Sequence, residues 1–331
     1  MMENPTHKER IREVLAGNRP DRVPVGLWRH FPVDDQDPEM LAESTLDFQE
    51  RYDLDLIKVT PASSYCLKDW GAQDRWEGNT EGTRKYLRNV VRQPQDWERL
   101  KILDPRAGFL GAQLQCLKLV VQKAGDTTPV VQTIFNPLAQ AKNLCGDGTL
   151  RRHLEKHPDA VRAGLDIILQ STLRFIGACL ELNIDGIFLA VQHATPAFFR
   201  EEEYQRWGMP DDLKLLAAAG NSWLNILHLH GEKIYFQLLS GYPAQVINWH
   251  DREAGPSLKD GRATSGKTVC GGWRQWETIA LGDGNKVEVE AEDAIGQMEG
   301  KHLILGTGCV TPIIASDSCL RAATRHRMGS S

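Results

Sequence analysis

Eight short apolar runs divide the chain, at residues 22–28, 55–61, 129–135, 186–192, 224–230, 245–250, 267–272 and 302–309. They are rich in β-branched residues and lack strict polar/apolar alternation, the pattern of strands covered on both faces. Helical spacing fills most of the gaps, over 39–52, 109–124, 148–156, 158–182, 211–220 and 287–299. Strand-then-helix order implies parallel strands joined by crossover helices. Eight such units favour a single closed (β/α)8 TIM-type barrel over an open doubly wound sheet. No G-x-G-x-x-G follows the first run, which argues against a dinucleotide-binding sheet. Residues 5–17 predict an N-terminal helix, opened by Pro5-Thr6 and ended by Gly17-Asn18-Arg19-Pro20. Residues 70–105, after the second strand, are rich in Trp, Arg and charge and poor in apolar periodicity. They read as an insertion lying over one face as a lid, with a hairpin near 83–92. One domain over 1–327 results, with 328–331 an appended tail.

The chain has 331 residues, 41% of them hydrophobic, enough for one barrel of about 250 residues with extra helices. Lys+Arg number 39 against 44 Asp+Glu, with no basic stripe, which argues against a nucleic-acid partner. No apolar run approaches the roughly 20 residues that span a bilayer. The first residues carry no apolar signal-peptide core. Seven scattered cysteines without a C-x-x-C pair suit a reducing compartment, so a cytoplasmic protein is expected.

In such a barrel, chemistry lies at the C-terminal ends of the strands. The residues expected there are Arg29 and His30, Lys58 and Thr60, Phe135 and Asn136, Gln192 and His193, His228 and His230, Trp249, His250 and Asp251, Gly271, Gly272 and Trp273, and Cys309. Five of the ten histidines thus gather at one rim. Period two puts His228 and His230 on one side of their strand, with Leu227 and Leu229 on the other. With Cys309 they make a set of two nitrogens and one sulfur. Three protein ligands with an open position is the pattern of a catalytic zinc site, which can hold a thiol as thiolate or polarise an oxygen. The spacing equally suits hydrogen-bonded barrel histidines beside a small apolar cysteine.

Arg29 and Lys58 are candidates to meet an anionic substrate, or else to pair with Asp53, Asp55 or the acidic residues 34–37. His250 is expected in the site without Asp251, because adjacent strand residues face opposite ways. His193 is a candidate acid or hydrogen-bond donor. Catalytic roles therefore fall to His250, His193 and Arg29, and substrate contacts to Trp28, His30, Lys58, Asn136, Gln192, Trp249, Gly271, Gly272 and Trp273. The glycines would allow close backbone approach, and the tryptophans would either wall a planar ligand or pack in the core.

Four stretches, in order along nearly the whole chain, resemble the uroporphyrinogen decarboxylase superfamily: Arg22-Val23-Pro24-Val25, Ile226-Leu227-His228-Leu229-His230-Gly231, Gly271-Gly272, and Leu305-Gly306-Thr307-Gly308-Cys309-Val310-Thr311-Pro312. The resemblance implies a (β/α)8 barrel and one of two activities. One branch decarboxylates tetrapyrroles in the haem pathway. The other comprises zinc methyltransferases that move a methyl group between a corrinoid protein and a thiol or folate. The second branch holds zinc through His-x-Cys at a strand end and a distal Cys in Gly-Cys-x-x-Pro. His228 and Cys309 match, and His230 stands where that branch has Cys. Imidazole remains a good zinc ligand, but one thiolate fewer leaves the site less electron-rich. The decarboxylase branch fits worse. Its Arg-Gln-Ala-Gly-Arg loop is Arg29-His30-Phe31-Pro32 here, its Asp after the second strand has no counterpart in Lys58-Val59-Thr60-Pro61, and its Leu-Gly-His-Gly is Leu305-Gly306-Thr307-Gly308. The resemblance thus implies zinc, a small-molecule substrate, a corrinoid protein acting in trans (no Asp-x-His-x-x-Gly occurs in the chain) and a homodimer. A tetrapyrrole decarboxylase and a non-catalytic small-molecule-binding barrel are the competing readings.

Overall fold

The computed structural model describes residues 5–325. The appended tail at 328–331 lies outside them. The strands are β1 (Ile57–Val59), β2 (Gln73–Arg75), β3 (Lys85–Arg88), β4 (Val130–Phe135), β5 (Gly186–Val191), β6 (Ile226–Leu229), β7 (Val246–Asn248), β8 (Thr268–Trp273) and β9 (Leu303–Thr307). Seven of them form one sheet in the order β1-β4-β5-β6-β7-β8-β9, with every neighbouring pair parallel. The first apolar run closes the ring. Val25 bridges Leu305, with Gly26 N–H donating to Leu305 O and Leu305 N–H to Pro24 O, both at 2.8 Å. On its other side Asp55 N–H donates to Val25 O at 2.8 Å. The stave is a single bridge because Pro24 has no N–H to give a ladder.

Alternation then sorts the side chains. Leu56, Val131, Phe188, Ala190, Ile226, Val246, Cys270 and Ile304 fill the barrel interior, and Ile11 and Val14 of the helix His7–Ala16 plug its bottom. A larger apolar layer lies between the strands and the surrounding helices. Helices stand where the spacing predicts them, at Pro38–Tyr52, Gly108–Ala124, Asp147–Lys156, Pro158–Leu180, Met209–Ala218 and Gly284–Met298. Six short ones were not expected: Pro137–Cys145, Gln95–Arg99, Glu201–Trp207, Phe236–Leu239, Leu258–Ser265 and Asp317–Thr324. In the first of these, Asn136-Pro137 reads as the end of a strand, yet proline is equally favoured in the first turn of a helix.

Two expectations need correction. The hairpin pairs β2 with β3, so only its second strand falls within 83–92. The first, Gln73-Asp74-Arg75, is wholly polar and shows no strand signal. Pro158–Leu180 is long and apolar enough, by length and composition, to cross a membrane, contrary to the sequence expectation, although 56% of its most apolar window is buried inside this protein.

The N-terminal helix is fastened at the barrel bottom through one carboxylate. Asp55 is fully buried. It accepts from Arg10 Nη1 at 2.6 Å, His7 Nδ1 at 2.8 Å, Val25 N–H at 2.8 Å and Arg22 Nη1. Burial alone would raise its pKa, but His7, Arg22, the Val25 N–H and Arg10 together hold it below the ordinary carboxylate value. Removing one partner of a buried ionic cluster leaves uncompensated charge, so Asp55→Ala is expected to cost about 3–5 kcal/mol in urea unfolding at neutral pH. A depressed carboxylate stabilises above its unfolded value of about 3.9 and loses that contribution as pH falls through the folded value. The gap between wild type and variant should therefore shrink in acid.

Candidate metal and substrate site

The inward alternation of β6 puts His228 inside the barrel and His230 one step higher, at its mouth. His228 is 3% exposed. Its Nδ1 lies 2.6 Å from Asn248 Oδ1. Asn248 sits on the inward face of neighbouring β7, and its Nδ2 donates to Cys270 O at 2.9 Å and Thr307 O at 3.0 Å. Those two carbonyls fix the amide with its oxygen toward the imidazole. Nδ1 must then carry the proton, leaving the Nε2 lone pair for a ligand. Phe188 stacks on the same ring, with centroids 5.2 Å apart.

Cys309 follows β9, and its Sγ lies 3.6 Å from His230 Nδ1. One ligand atom from each of His228, His230 and Cys309 falls within 4.8 Å of the others. Burial pushes both imidazoles down. The charges of His230, His250 and Lys58 lower His228 further, whereas the carboxylate of Glu81 opposes the shift at His230. Both rings are therefore neutral at neutral pH, the state in which imidazole binds a metal. Two such nitrogens and a cysteine sulfur at this spacing fit a tetrahedral metal held by three protein ligands.

The cluster opens on a cavity of about 210 Å³. Trp28, His30, Lys58, Phe135, Phe188 and Gln192 line it from the strand ends, and Glu81, Thr83, Arg84 and Tyr86 from the insertion. The insertion is clamped down. Arg84 pairs with Asp74 and Asp35 and donates to Pro32 O at 2.9 Å. Ile313 N–H donates to Thr80 O at 2.7 Å. Gly82 (φ +81) lies so close to His30 that an added Cβ would meet it at 2.5 Å. Glu81 Oε1 accepts from Gln275 Nε2 at 2.9 Å.

Lys58 points inward from β1. Its Nζ stands 4.6 Å over the Phe188 ring and 5.6 Å over Trp28, with one hydrogen bond, to Thr60 Oγ1 at 3.2 Å. Burial lowers its ammonium to about 7, against the pull of Cys309. His30 is buried beside it and lowered to about 3 by burial and the Lys58 charge.

The structure thus brings Trp28, His30, Lys58, Gln192, His228, His230 and Cys309 to one cavity. His250 stands next to it, its ring 6.4 Å from that of His230 and its Nδ1 3.9 Å from Glu253. His193 does not line the cavity. Its backbone turns away (φ +68) and its ring lies 4.3 Å from Phe198. Burial, with the charges of Lys142 and His230, lowers it to about 3. The ring is therefore neutral at neutral pH, with one N–H left to donate. Asn136 acts from behind, accepting the Gln192 N–H at 3.1 Å.

Arg29 leaves the site altogether, its guanidinium lying over Phe31 and Phe48 at 5.3 and 5.6 Å. Trp249 and Trp273 face outward, donating to Pro256 O and Val287 O at 2.9 Å each. A Cβ on Gly271 would meet the Asp251 carboxylate, and one on Gly272 would meet Ala294, so neither glycine serves a ligand. The physical reason is parity: β7 and β8 point Val246, Asn248 and Cys270 inward, which turns Trp249, Gly271 and Trp273 out. The same parity would have found Asn248 and Phe188, which the strand-end reading missed. Nothing local in the sequence marks Glu81, Arg84 or Tyr86.

The sequence matches the uroporphyrinogen decarboxylase (URO-D) family over residues 6–322. A methylcobamide:CoM methyltransferase (MtaA) of Methanosarcina barkeri is 23% identical over 332 aligned residues, 92% of each chain. A solved methyltransferase from Methanosarcina mazei superposes with a TM-score of 0.83 at 20% identity, covering 96% of this chain and 97% of that one. A B12-independent methionine synthase from Shewanella sp. W3-18-1 superposes at 0.60 with 13% identity, over 92% of this chain and 94% of that one. These two likenesses are of fold.

Asn248→Ala is expected to free the His228 ring and lower zinc affinity about 10–100-fold, as loss of a partner that orients a ligand typically does. Competition against a chromophoric chelator measures it.

Proposed function

This chain belongs to the uroporphyrinogen decarboxylase family, and we propose that it is a zinc-dependent methyltransferase of that family, moving a methyl group between a corrinoid (methylcobamide) protein and a small thiol. The observation that carries this is the meeting of His228, His230 and Cys309 at the barrel mouth, with the His228 tautomer set by Asn248. A relative spanning the same length is named as a methylcobamide:CoM methyltransferase. A cavity of about 210 Å³ is small beside the 300–1,000 Å³ of drug-sized pockets, which favours a short thiol over a folate. The same size, and an Arg29 turned away from the cavity, disfavour a tetrapyrrole.

His228 Nε2, a His230 ring nitrogen and Cys309 Sγ would hold the zinc, which when bound stabilises a thiolate at neutral pH. Phe188 and Trp28 wall the cavity. The insertion roofs it through the Arg84 ion pairs. His250 flanks the cluster, its ring 6.4 Å from that of His230. In the transfer a sulfur–carbon bond forms, the cobalt–carbon bond of the substrate corrinoid breaks with its electron pair left on cobalt, and the thiol proton goes to solvent. The resemblance implies a second thiolate where this chain has His230, so the cluster contributes one negative charge fewer than that pattern. Cys66, Cys116, Cys145, Cys179, Cys270 and Cys319 are buried and free, which suits a cytoplasmic enzyme.

Methylcobalamin demethylation, followed by its visible spectrum with short thiols as acceptors, tests the reading. Wild type should turn over, and Cys309→Ala should fall to the uncatalysed background while remaining folded. Equal rates in the two proteins would remove the cluster from the chemistry.

A further inference from the structure

We propose that Asp212 is a positioning residue for the cavity: through Tyr204 and Asn136 it fixes Gln192, whose side-chain amide contacts the small molecule bound there. The inference rests on reading this cavity as the substrate site, and it does not require methyl transfer.

Asp212, Tyr204, Tyr242 and Asn136 are fully buried. Tyr204, on the helix Glu201–Trp207, donates to Asp212 Oδ2 at 2.5 Å, and Tyr242, just after Phe236–Leu239, donates to the same oxygen at 3.0 Å. Asn136 Nδ2 donates to Tyr204 Oη at 3.1 Å, and Asn136 Oδ1 accepts the Gln192 N–H at 3.1 Å. The carboxyl sets the direction of this chain. Tyr204 gives its proton to Asp212, so its oxygen is left to accept from Asn136. That turns the Asn136 amide with its oxygen toward Gln192. Burial raises the Asp212 carboxyl to about 7, and with or without a proton on Oδ1 the other oxygen accepts from both phenols.

The placement of Asn136 ties this chain to the cavity wall. It stands at the N-cap of Pro137–Cys145, where asparagine ordinarily caps its own helix, yet its side chain makes no cap bond. Both ends of the residue serve the end of β5 instead. Its N–H donates to Ala190 O at 3.3 Å, and its Oδ1 takes the N–H of Gln192, the first residue beyond the strand. The next residue, His193, is left-handed, so Asn136 Oδ1 stands in for a ladder acceptor where the chain leaves the sheet. Gln192 lines the cavity, and among the described residues its side-chain amide bonds to no protein group. An amide offers both a donor and an acceptor, so it suits a neutral polar group on the ligand, a hydroxyl or a carbonyl. Asp212 Oδ1 also lacks a partner among the described residues. Burying such a group is costly, and a buried polar network of this kind specifies one arrangement.

Two measurements test the proposal on wild type, Tyr204→Phe, Gln192→Ala and the double variant. One is hydrogen exchange at the Gln192 amide, resolved by fragmentation mass spectrometry. The other is isothermal titration of the zinc-loaded full chain with 2-mercaptoethanol. Tyr204→Phe should speed exchange at Gln192. Each single substitution should weaken thiol binding about 2–10-fold, the scale of one neutral hydrogen bond. The double variant should bind no more weakly than the weaker single one, with zinc content unchanged throughout. Asp212→Asn, which keeps the volume, replaces Tyr204→Phe if that fails to fold. Unchanged exchange at Gln192, losses that multiply in the double variant, or no thiol binding by wild type overturns the assignment. Methylcobalamin demethylation separates this inference from the preceding one. Coupled thiol binding in a protein that demethylates no corrinoid keeps the positioning role and removes the methyl-transfer reading. Demethylation with losses that multiply keeps that reading and removes the positioning role.

Discussion

The barrel closes through its thinnest seam, and the mouth depends on that closure. Residues 24–26 join β9 through two backbone hydrogen bonds at Leu305 and join the segment before β1 through Asp55. Because Pro24 cannot donate, backbone pairing alone makes a weak stave. The buried Asp55 carboxylate compensates by gathering the Val25 N–H, Arg10, Arg22 and His7 at one point. With the ring shut, β9 delivers Cys309 to within 3.6 Å of a histidine 79 residues earlier. The stabilising cluster sits at the bottom of the barrel and the reactive one at the top, the usual division of labour in this architecture.

At the top, desolvation does most of the chemical tuning. It keeps His228 and His230 neutral and ready to ligate, and it lowers the Lys58 ammonium to about 7. Such a concentration of polar groups in a barrel interior is tolerated because most are satisfied. Asn248 serves His228 and two carbonyls at once, and Thr133 Oγ1 donates to Val59 O at 2.6 Å.

The eight strands were legible because runs buried on both faces are apolar throughout, and their positions follow the apolar runs. The cluster was legible because His228 and His230 share a parity and Cys309 ends the last run. Proximity to a strand end was a poorer guide. Trp249, Gly271 and Trp273 stand at the right height but face the helices, and His193 is turned aside by a left-handed backbone. Arg29 prefers the aromatic faces of Phe31 and Phe48 to the cavity. The roof could not be read locally, since its position is set by Arg84 reaching Asp35, 49 residues away in sequence, and by Gly82 seating against His30.

X-ray absorption at the zinc edge of the purified protein tests the central claim most directly. A site built from His228, His230 and Cys309 predicts about one zinc per chain, with one protein sulfur near 2.3 Å and two imidazole nitrogens near 2.0–2.1 Å, and the sulfur lost in Cys309→Ala. Protein that takes up no zinc when supplied with it, or a zinc shell of oxygen and nitrogen unchanged in Cys309→Ala, would contradict it.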